Sequence, residues 1–527
     1  MSSFRGNQSH HCIASQFPLI PTSAPQSTMI LHLFLLSLPI IILFHLLHKH
    51  KKPIKTLVPP GPPGLPLIGN LLQLATAKSP HVYLWQLSQK YGPIIHMKLG
   101  SVPIVIVSSA RLAEEVLKTQ DLAFCSRPSF RGAKKLSYNC LDMVFSPYGE
   151  YWRELRKIAA THLLSLRKTQ SFRPIREDEV SRMVAKISSQ EIVDLSEMAM
   201  DLGITLICRI AFGKSYDDNG SERRRFDKLL HEAQALVVAN FVSDYLPAFG
   251  WVDKLSGLVD RLESAFGKLD SFYQELIDER LAAKETGIIM KEDADILDIL
   301  IQLKEYKTCS IDLNWDIVKA VLADIFIAAS DTSAAAIVWT MTALIKAPNV
   351  MHKVQAEIRD LIGKKGIVDE DDLPKLPFLK AVINETLRLY PPVPLLVPRQ
   401  TTEKCTIDGY EIQPKTVVYV NGWAIARDPE YWENNPLEFL PERFMNTNIN
   451  VKGQDFGVVP FGSGRRICPG MFMGLANVEI TVANLLYSFD WELPRGIKAQ
   501  DIDLDVSPGL GMQKKNALVL VPKKYVF

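Results

Sequence analysis

The stretch Pro460-Phe461-Gly462-Ser463-Gly464-Arg465-Arg466-Ile467-Cys468-Pro469-Gly470 decides the fold of this 527-residue chain. It places one thiol in a glycine-containing loop, because its two inner glycines allow backbone angles that other residues resist. Pro469 suits the first turn of a helix, and the apolar run from Met471 to Leu486 predicts a long buried helix. Cys468 is therefore predicted near a helix N-terminus beside two arginines, where positive potential favours the thiolate. Such a thiolate is a good soft ligand for iron.

These residues resemble the haem-binding loop of cytochrome P450 enzymes, Phe-x-x-Gly-x-Arg-x-Cys-x-Gly, and every fixed position is matched. The order Pro-Phe-Gly-x-Gly-Arg-Arg-x-Cys-Pro-Gly is most similar to the plant microsomal A-type branch of that superfamily. The resemblance implies a bound haem b whose iron takes Cys468 as its axial metal ligand. An isolated cysteine is more often a buried structural residue, but the complete pattern favours the ligand.

The bulk composition excludes several other classes of function. The chain has 60 Lys and Arg against 58 Asp and Glu, a net charge of +2, so no basic excess indicates a nucleic-acid partner. Its seven cysteines are scattered without a CxxC pair, which argues against a disulfide framework or a zinc site and fits a reducing compartment. No GxGxxG motif opens a helix after a strand, so electrons must come from another protein.

Residues 29–47 are almost wholly apolar and contain no Asp, Glu, Lys or Arg. As a helix they would span about 28 Å, roughly one bilayer core. The basic run from His48 to Lys52 places the following chain on the cytosolic side by the positive-inside rule. We therefore predict a single-pass anchor in the endoplasmic reticulum membrane, with the catalytic body facing the cytosol. A cleavable signal peptide is the alternative, weakened by the length of the run and by the missing small-x-small cleavage site.

The other boundaries follow from composition. Residues 1–28 are polar and lack periodicity, which indicates an upstream extension or a disordered tail, with translation from Met29 as the corresponding hypothesis. Residues 48–66 are basic and then proline-rich, and they predict a stiff hinge or a plain linker. Residues 67–527 are predicted to form one haem-thiolate catalytic domain.

A mostly α fold with a small accessory β region is predicted for this domain. Residues 94–99 and 104–107, joined by Gly100-Ser101, predict a β-hairpin. Extended, proline-rich segments return from Pro391 to about Val420. The long helical patterns cover Leu262–Lys284, Trp315–Lys346, Val350–Ile362 and Pro377–Tyr390. The resemblance implies that these elements form the cytochrome P450 fold.

The predicted helix Trp315–Lys346 is apolar but carries Ala328-Ala329-Ser330-Asp331-Thr332-Ser333 at its middle. A carboxylate in an apolar helix is costly unless it is paired or functional. The segment is similar to the oxygen-activation motif of the family, which implies that Asp331 and Thr332 are catalytic and deliver protons during dioxygen activation. The alternative is a threonine bonded to its i−4 carbonyl and a solvated aspartate. Ala329 occupies the usual glycine position, and its methyl group narrows the groove over the haem.

Glu385 and Arg388 lie three residues apart, on one face of a predicted helix. Such a pair is a weak signal by itself. Together with Arg443 in Pro441-Glu442-Arg443-Phe444, it is similar to a second family motif. The resemblance implies that these three residues form a structural lock on the thiolate side of the haem. Breaking this lock would lose haem rather than alter the chemistry.

Four side chains are implied by the resemblance to hold the two haem propionates, because the fork-shaped charge of arginine suits carboxylates. They are Trp152, Arg156, Arg399 and Arg466. The first two stand at positions i and i+4 and share a helix face. For Trp152 alone, ordinary core packing is the alternative.

The regions that line the substrate pocket in this family contribute mostly apolar side chains here, without an obvious charged anchor. A neutral or weakly polar small molecule is therefore expected, and terpenoid, phenylpropanoid, indole and alkaloid scaffolds all stay open. The candidate pocket residues are Phe145, Ile325, Leu395, Leu396, Val397 and Leu510.

The resemblance implies a monooxygenase that hydroxylates or otherwise oxidises a small plant specialised metabolite, using dioxygen and NADPH-derived electrons. Its implied partners are NADPH–cytochrome P450 reductase, with cytochrome b5 as a second candidate, and a lipid membrane. Arg153, Lys157 and Arg465 are candidates for contact with an acidic reductase surface, and ordinary solvated charge is the alternative for each. Two other functions stay open: a reductase-independent haem-thiolate isomerase or lyase, and a non-enzymatic haem-binding sensor.

Overall fold

Among the residues that the structure describes, helices are the main secondary structure, as the long apolar periodicities of the sequence predict. The structure is a computed structural model, and it describes residues 37, 57–215, 220–285, 294–307, 309–507, 509 and 511–526. The predicted anchor and the segment before it lie outside the described residues, apart from Ser37. Residues 57–527 form one compact unit.

The α-helices of the described residues are numbered in chain order. They are α1 (Leu71–Ala75), α2 (Pro80–Tyr91), α3 (Ala110–Glu114), α4 (Asp121–Phe124), α5 (Arg131–Leu136), α6 (Glu150–Ile158), α7 (Leu166–Ser171), α8 (Arg173–Ser188), α9 (Leu195–Phe212), α10 (Ser221–Val237), α11 (Val242–Tyr245), α12 (Trp251–Leu255), α13 (Leu258–Glu285), α14 (Ile296–Tyr306), α15 (Trp315–Lys346), α16 (Pro348–Ile362), α17 (Pro377–Leu389), α18 (Gly422–Ile425) and α19 (Met471–Ser488). The predicted long helices are all present, with ends that differ by a few residues at most.

The strands in the described part of the chain are short and form three small sheets. They are β1 (Ile94–Leu99), β2 (Val102–Val107), β3 (Val193–Asp194), β4 (Arg399–Gln400), β5 (Cys405–Ile407), β6 (Tyr410–Ile412), β7 (Val417–Val420), β8 (Phe489–Glu492) and β9 (Val519–Lys524). The strand orders are β1-β2-β7-β4, β3-β9-β8 and β5-β6. The predicted hairpin is the antiparallel β1–β2 pair, with Ile94 opposite Val107. The prediction of a mostly helical body with a small β region is confirmed.

Helix α15 lies in the core of the body and is buried along most of its 32 residues. It begins where the Asn314 side chain accepts a hydrogen bond from the Ile317 N–H, at 2.9 Å. It ends before Pro348, which opens the next helix. Among the described residues, α15 is also long and apolar enough to cross a membrane, but 67% of its most apolar window is buried inside the protein. Its apolar character is therefore explained by its place in the core.

Helix α9 packs closely against the middle of α15 at a glycine. A Cβ atom on Gly203 would lie 2.7 Å from the carbonyl oxygen of Ser330. Any larger residue would therefore push the two backbones apart at this point. The contact fixes the position of Ser330, the residue before Asp331, so the geometry of the candidate site depends on this contact.

The proline-rich segment packs on the body from residue 57 onward. The N–H of His96 donates to the carbonyl oxygen of Pro60 at 2.9 Å, and the Asn70 side chain donates to that of Pro62 at 3.2 Å. A Cβ atom on Gly61 would lie 1.9 Å from the carbonyl oxygen of His96, so only glycine allows this approach. Residues 57–66, which the sequence assigned to a hinge, thus belong to the compact unit.

Candidate active site

Cys468 lies in a tight loop before α19. Its N–H donates to the carbonyl oxygen of Phe461 at 2.9 Å, which closes the loop around the sulfur. Gly464 has φ +69°, and a Cβ atom there would lie 2.0 Å from the carbonyl oxygen of Leu117. The loop thus requires glycine at this position. The thiol is half-buried and lines the large cavity of the protein.

Two details of the loop differ from the prediction. Helix α19 begins at Met471, so Pro469 lies before the first turn rather than in it. Burial raises the pKa of the Cys468 thiol, while the Gly470 N–H and the Arg156 guanidinium act in the opposite direction. The cation that favours the thiolate is therefore Arg156 on α6, whereas the sequence pointed to Arg465 and Arg466.

Arg156 and Arg466 hold the loop to the rest of the body. The Arg156 guanidinium donates to the carbonyl oxygen of Ile467, next to the thiol. Arg466 donates to the carbonyl oxygens of Cys125 at 2.8 Å and Ser146 at 2.6 Å. Its guanidinium lies 4.1 Å from the centroid of the Trp152 ring. Both arginines line the cavity beside Cys468.

Trp152 is buried beneath the Arg466 guanidinium. Its indole N–H donates to the carbonyl oxygen of Met143 at 3.0 Å, and the residue is 3% exposed. Since the indole has one donor, a direct hydrogen bond to a propionate would require this bond to open. Trp152 is thus packed in the core and also lines the cavity.

Arg127 is a cavity residue that the sequence interpretation missed. It is 7% exposed, and its guanidinium donates to the carbonyl oxygens of Val144 at 2.9 Å and Val397 at 2.6 Å. Arg399 is buried close by and forms an ion pair with Asp121 at 2.9 Å. No motif in the sequence marks Arg127, because its partners are carbonyl groups of distant loops.

The arginine cluster of Arg127, Arg156, Arg399 and Arg466 carries more positive charge than its neighbours neutralise. Among the described residues, the ion pair Arg399–Asp121 is its one direct contact with a carboxylate. Burial lowers the pKa of Arg466 to about 10, and the neighbouring Arg399 adds to this effect. Buried cations of this kind require anions close by. The two propionates of a haem supply such charge, so the donor set fits a haem.

The cavity has a volume of about 1300 Å³ and separates Cys468 from α15. Ordinary small-molecule sites have roughly 300–1,000 Å³, so this cavity has room for a haem and a substrate together. The structure brings five of the six predicted pocket residues to its wall, and the sixth, Leu510, lies outside the described residues. The five are Phe145, Ile325, Leu395, Leu396 and Val397.

Asp331 and Thr332 line the same cavity from the middle of α15. The Thr332 hydroxyl donates to the carbonyl oxygen of Ala328 at 2.9 Å, the i−4 bond weighed as the alternative. Asp331 is half-buried, so its carboxyl is less solvated than that alternative required. Its Oδ1 atom is buried and has no hydrogen-bond partner among the described residues. Burial raises its pKa, while a hydrogen bond from Gln234 and the nearby His231 lower it.

Glu385 and Arg388 form a fully buried, two-pronged ion pair in α17, with N···O distances of 2.6 and 2.7 Å. Arg388 also donates to the carbonyl oxygens of Ala426 at 2.6 Å and Pro436 at 2.7 Å. Arg443 lies 3.5 Å from the Glu385 carboxylate. The three predicted residues are therefore in contact, and they tie α17 to the loops that precede the Cys468 loop.

Residues 59–521 match the family model described as Cytochrome P450. The chain is a cytochrome P450. It is 49% identical over 504 residues to 6,7,8-trihydroxycoumarin synthase of Pastinaca sativa, a match that covers 94% of the P450 and 98% of the relative. It is 46% identical over 514 residues to 5-OH-xanthotoxin synthase of Ammi majus, covering 95% and 100%. The resemblance to plant cytochromes P450 is confirmed.

The fold of this P450 is also found in solved structures. A zebra fish cytochrome P450 solved with abiraterone has a TM-score of 0.71 at 23% identity, covering 85% of this chain and 100% of that one. At this identity the likeness shows the fold alone.

The P450 is a haem-thiolate monooxygenase of plant specialised metabolism, and its electrons originate from NADPH and arrive through a redox partner. When bound, the haem activates dioxygen so that one oxygen atom enters the substrate and the other leaves as water. The cavity of the P450 is lined by Cys468, the arginine cluster, mostly apolar side chains and, from α15, Asp331 and Thr332.

Proposed function

We propose that this P450 hydroxylates an aromatic, coumarin-type metabolite. The observation that carries the proposal is the match, at 49% and 46% identity over almost the whole chain, to two enzymes named as synthases of hydroxylated, coumarin-type products. The cavity supports it, because its described wall is mostly apolar and contains the Phe145 ring. A flat, weakly polar ring system buries well against such a wall.

We assign a role to each group of the site from its position. Cys468 is the axial thiolate, held by the loop and favoured by Arg156. The arginine cluster holds the propionates. Asp331 and Thr332 hold protons on the substrate side, because both residues line the cavity from α15. Glu385, Arg388 and Arg443 keep the thiolate side of the body in place.

Replacing Thr332 with alanine is expected to leave the haem bound and to lower the product formed per NADPH consumed by about tenfold or more, because a positioned proton donor typically contributes that much. The measurement compares NADPH oxidation with product yield. Thr340→Ala is the matched control, since Thr340 makes the same i−4 bond, at 2.7 Å, in the buried part of α15. Unchanged coupling in Thr332→Ala would remove Thr332 from proton delivery.

The membrane and reductase contacts belong to the same proposal. The apolar run 29–47 and the basic run after it support a single-pass anchor in the endoplasmic reticulum, with the body in the cytosol. A basic depression of about 300 Å³ on the body is lined by Arg153, Arg156, Lys157 and Arg465. Since Arg156 bonds the loop next to Cys468, this surface lies close to the thiolate and suits an acidic reductase.

The test of the function uses the full chain in microsomes with NADPH–cytochrome P450 reductase, with and without cytochrome b5. The probes are coumarins with one or two hydroxyl or methoxyl groups, a furanocoumarin, a monoterpene and an indole. We expect a coumarin product that gains one atom from isotopically labelled dioxygen and needs NADPH. Turnover of the terpene or indole alone would overturn the coumarin proposal. Conversion of a hydroperoxide without NADPH would favour an isomerase or lyase, and binding without any turnover would favour a sensor.

A further inference from the structure

Two carboxyl groups with no role in the mechanism above meet in the cavity wall. Asp324 lies on α15, two helical turns before Asp331, and is 9% exposed. Asp142 lies in the loop before α6 and is 1% exposed. The two carboxyl groups are hydrogen-bonded to each other. A hydrogen bond between two carboxyl groups requires a proton, so one of the two is neutral.

The surroundings decide which carboxyl keeps the proton. Burial raises the pKa of both groups, and the pKa of Asp324 is raised further because the charge of Asp142 faces it. Asp142 is in turn favoured as the anion by Arg466, and its charge also acts on Arg127. Asp324 is therefore the neutral partner, which donates its proton to the Asp142 carboxylate.

This pair holds the backbone of the loop 142–146. The Met143 N–H donates to Asp324 Oδ2 at 2.7 Å. The Phe145 N–H donates to the Asp142 carboxylate at 3.0 Å. The carbonyl oxygen of Val144 accepts from Arg127, and that of Ser146 from Arg466. The loop is thus fixed by carboxyl groups on one side and by the arginine cluster on the other.

The loop matters because it carries Phe145, whose ring forms part of the cavity wall. We infer that Asp324 is a positioning residue for ligand selectivity: its carboxyl accepts from the Met143 N–H next to Asp142, fixes the loop 142–146 and so sets the position of the Phe145 ring. The inference rests on the haem site described above and not on the coumarin proposal. A different substrate class would leave it intact.

Two variants distinguish a need for a neutral side chain that both donates and accepts hydrogen bonds at position 324 from a need for a charged carboxylate. In Asp324→Asn, the amide oxygen accepts from the Met143 N–H and the amide NH2 donates to Asp142, as the neutral acid does. In Asp324→Ala both bonds are lost and Asp142 keeps a buried charge. Asp324→Asn is therefore expected to behave like the wild type, and Asp324→Ala to free the loop.

The affinities of two azoles for the holoenzyme test the cavity wall at Phe145. Both azoles bind the haem iron, but only one carries a phenyl group that contacts the wall. From difference spectra, Asp324→Ala is expected to bind 4-phenylimidazole about tenfold more weakly, with imidazole within about twofold of the wild type. Asp324→Asn is expected to match the wild type for both. Amide hydrogen exchange of Met143 and Phe145 should be faster in Asp324→Ala alone. Thr340→Ala controls for general damage to α15.

A double-mutant comparison tests whether Asp324 acts through Phe145. Phe145→Ala alone should weaken the binding of 4-phenylimidazole. Adding Asp324→Ala to it should cause little further loss of affinity. Wild-type affinity in Asp324→Ala, equal weakening of both azoles, or equal damage in Asp324→Asn would each overturn the inference. If Asp324→Ala does not retain haem, Asp324→Glu serves in its place, since the extra methylene displaces the loop while keeping the carboxyl.

Discussion

The Cys468→Ser variant is expected to lose the thiolate-type carbon-monoxide spectrum of the reduced holoenzyme and to lose turnover by more than about a thousandfold. A serine hydroxyl has nearly the same size as the thiol. The loop can therefore keep the hydrogen bond from the backbone N–H of residue 468 to the carbonyl oxygen of Phe461. It stays protonated at neutral pH, however, and is a much poorer ligand for iron than a thiolate. The change therefore removes the ligand while preserving the loop.

The control for this prediction is Cys405→Ser. Cys405 is half-buried in β5, a short strand outside the cavity wall, and burial raises the pKa of its thiol to about 11. Its replacement should leave the spectrum and the turnover unchanged. Haem content is measured for both variants by a reductant-independent pigment assay. A normal thiolate-type spectrum in Cys468→Ser would exclude Cys468 as the iron ligand.

The elements with strong local signals could be predicted from the sequence. The bounds of Trp315–Lys346 match the prediction at both ends, because an asparagine caps the start and Ala347-Pro348 stops the helix. The hairpin was marked by two short, mainly apolar segments joined by Gly100-Ser101, and Gly100 has φ +59° in the turn. The helix after the cysteine loop was predicted to Leu486 and ends at Ser488. In each case the signal lies in residues that are neighbours in the sequence.

The contacts of the arginine cluster could not be predicted, because its partners are backbone carbonyls of irregular loops far away in the chain. Arg127 bonds Val397, and Arg466 bonds Ser146. Sequence spacing carries no record of such contacts. Asp324 is different, since a carboxylate in an apolar helix is a visible signal. The cost of a carboxylate in an apolar helix applies to Asp324 as much as to Asp331, but the sequence does not show that Asp142 lies beside it.

The Arg388→Ala variant is expected to lower the free energy of unfolding by about 3–5 kcal/mol and to abolish stable haem binding. The cause is the buried Glu385 carboxylate, which is 0% exposed. Without Arg388 it would keep a hydrogen bond from the Leu440 N–H at 2.8 Å, and its nearest cation would be Arg443 at 3.5 Å. The change also frees the carbonyl oxygens of Ala426 and Pro436, which accept from Arg388. The measurements are denaturant unfolding and the ratio of haem to protein.

The matched control is Arg261→Ala on the surface. Arg261 forms an equally two-pronged ion pair with Glu232, at 2.6 and 2.7 Å, but its side chain is 52% exposed. Because water screens that pair, its loss should cost about 1 kcal/mol or less. Arg388→Lys separates charge from shape, since lysine neutralises Glu385 but cannot reach both carboxylate oxygens and the two carbonyls at once. An intermediate loss of unfolding free energy is expected for Arg388→Lys. Equally small losses in Arg388→Ala, Arg388→Lys and Arg261→Ala would contradict a structural lock built on the buried pair.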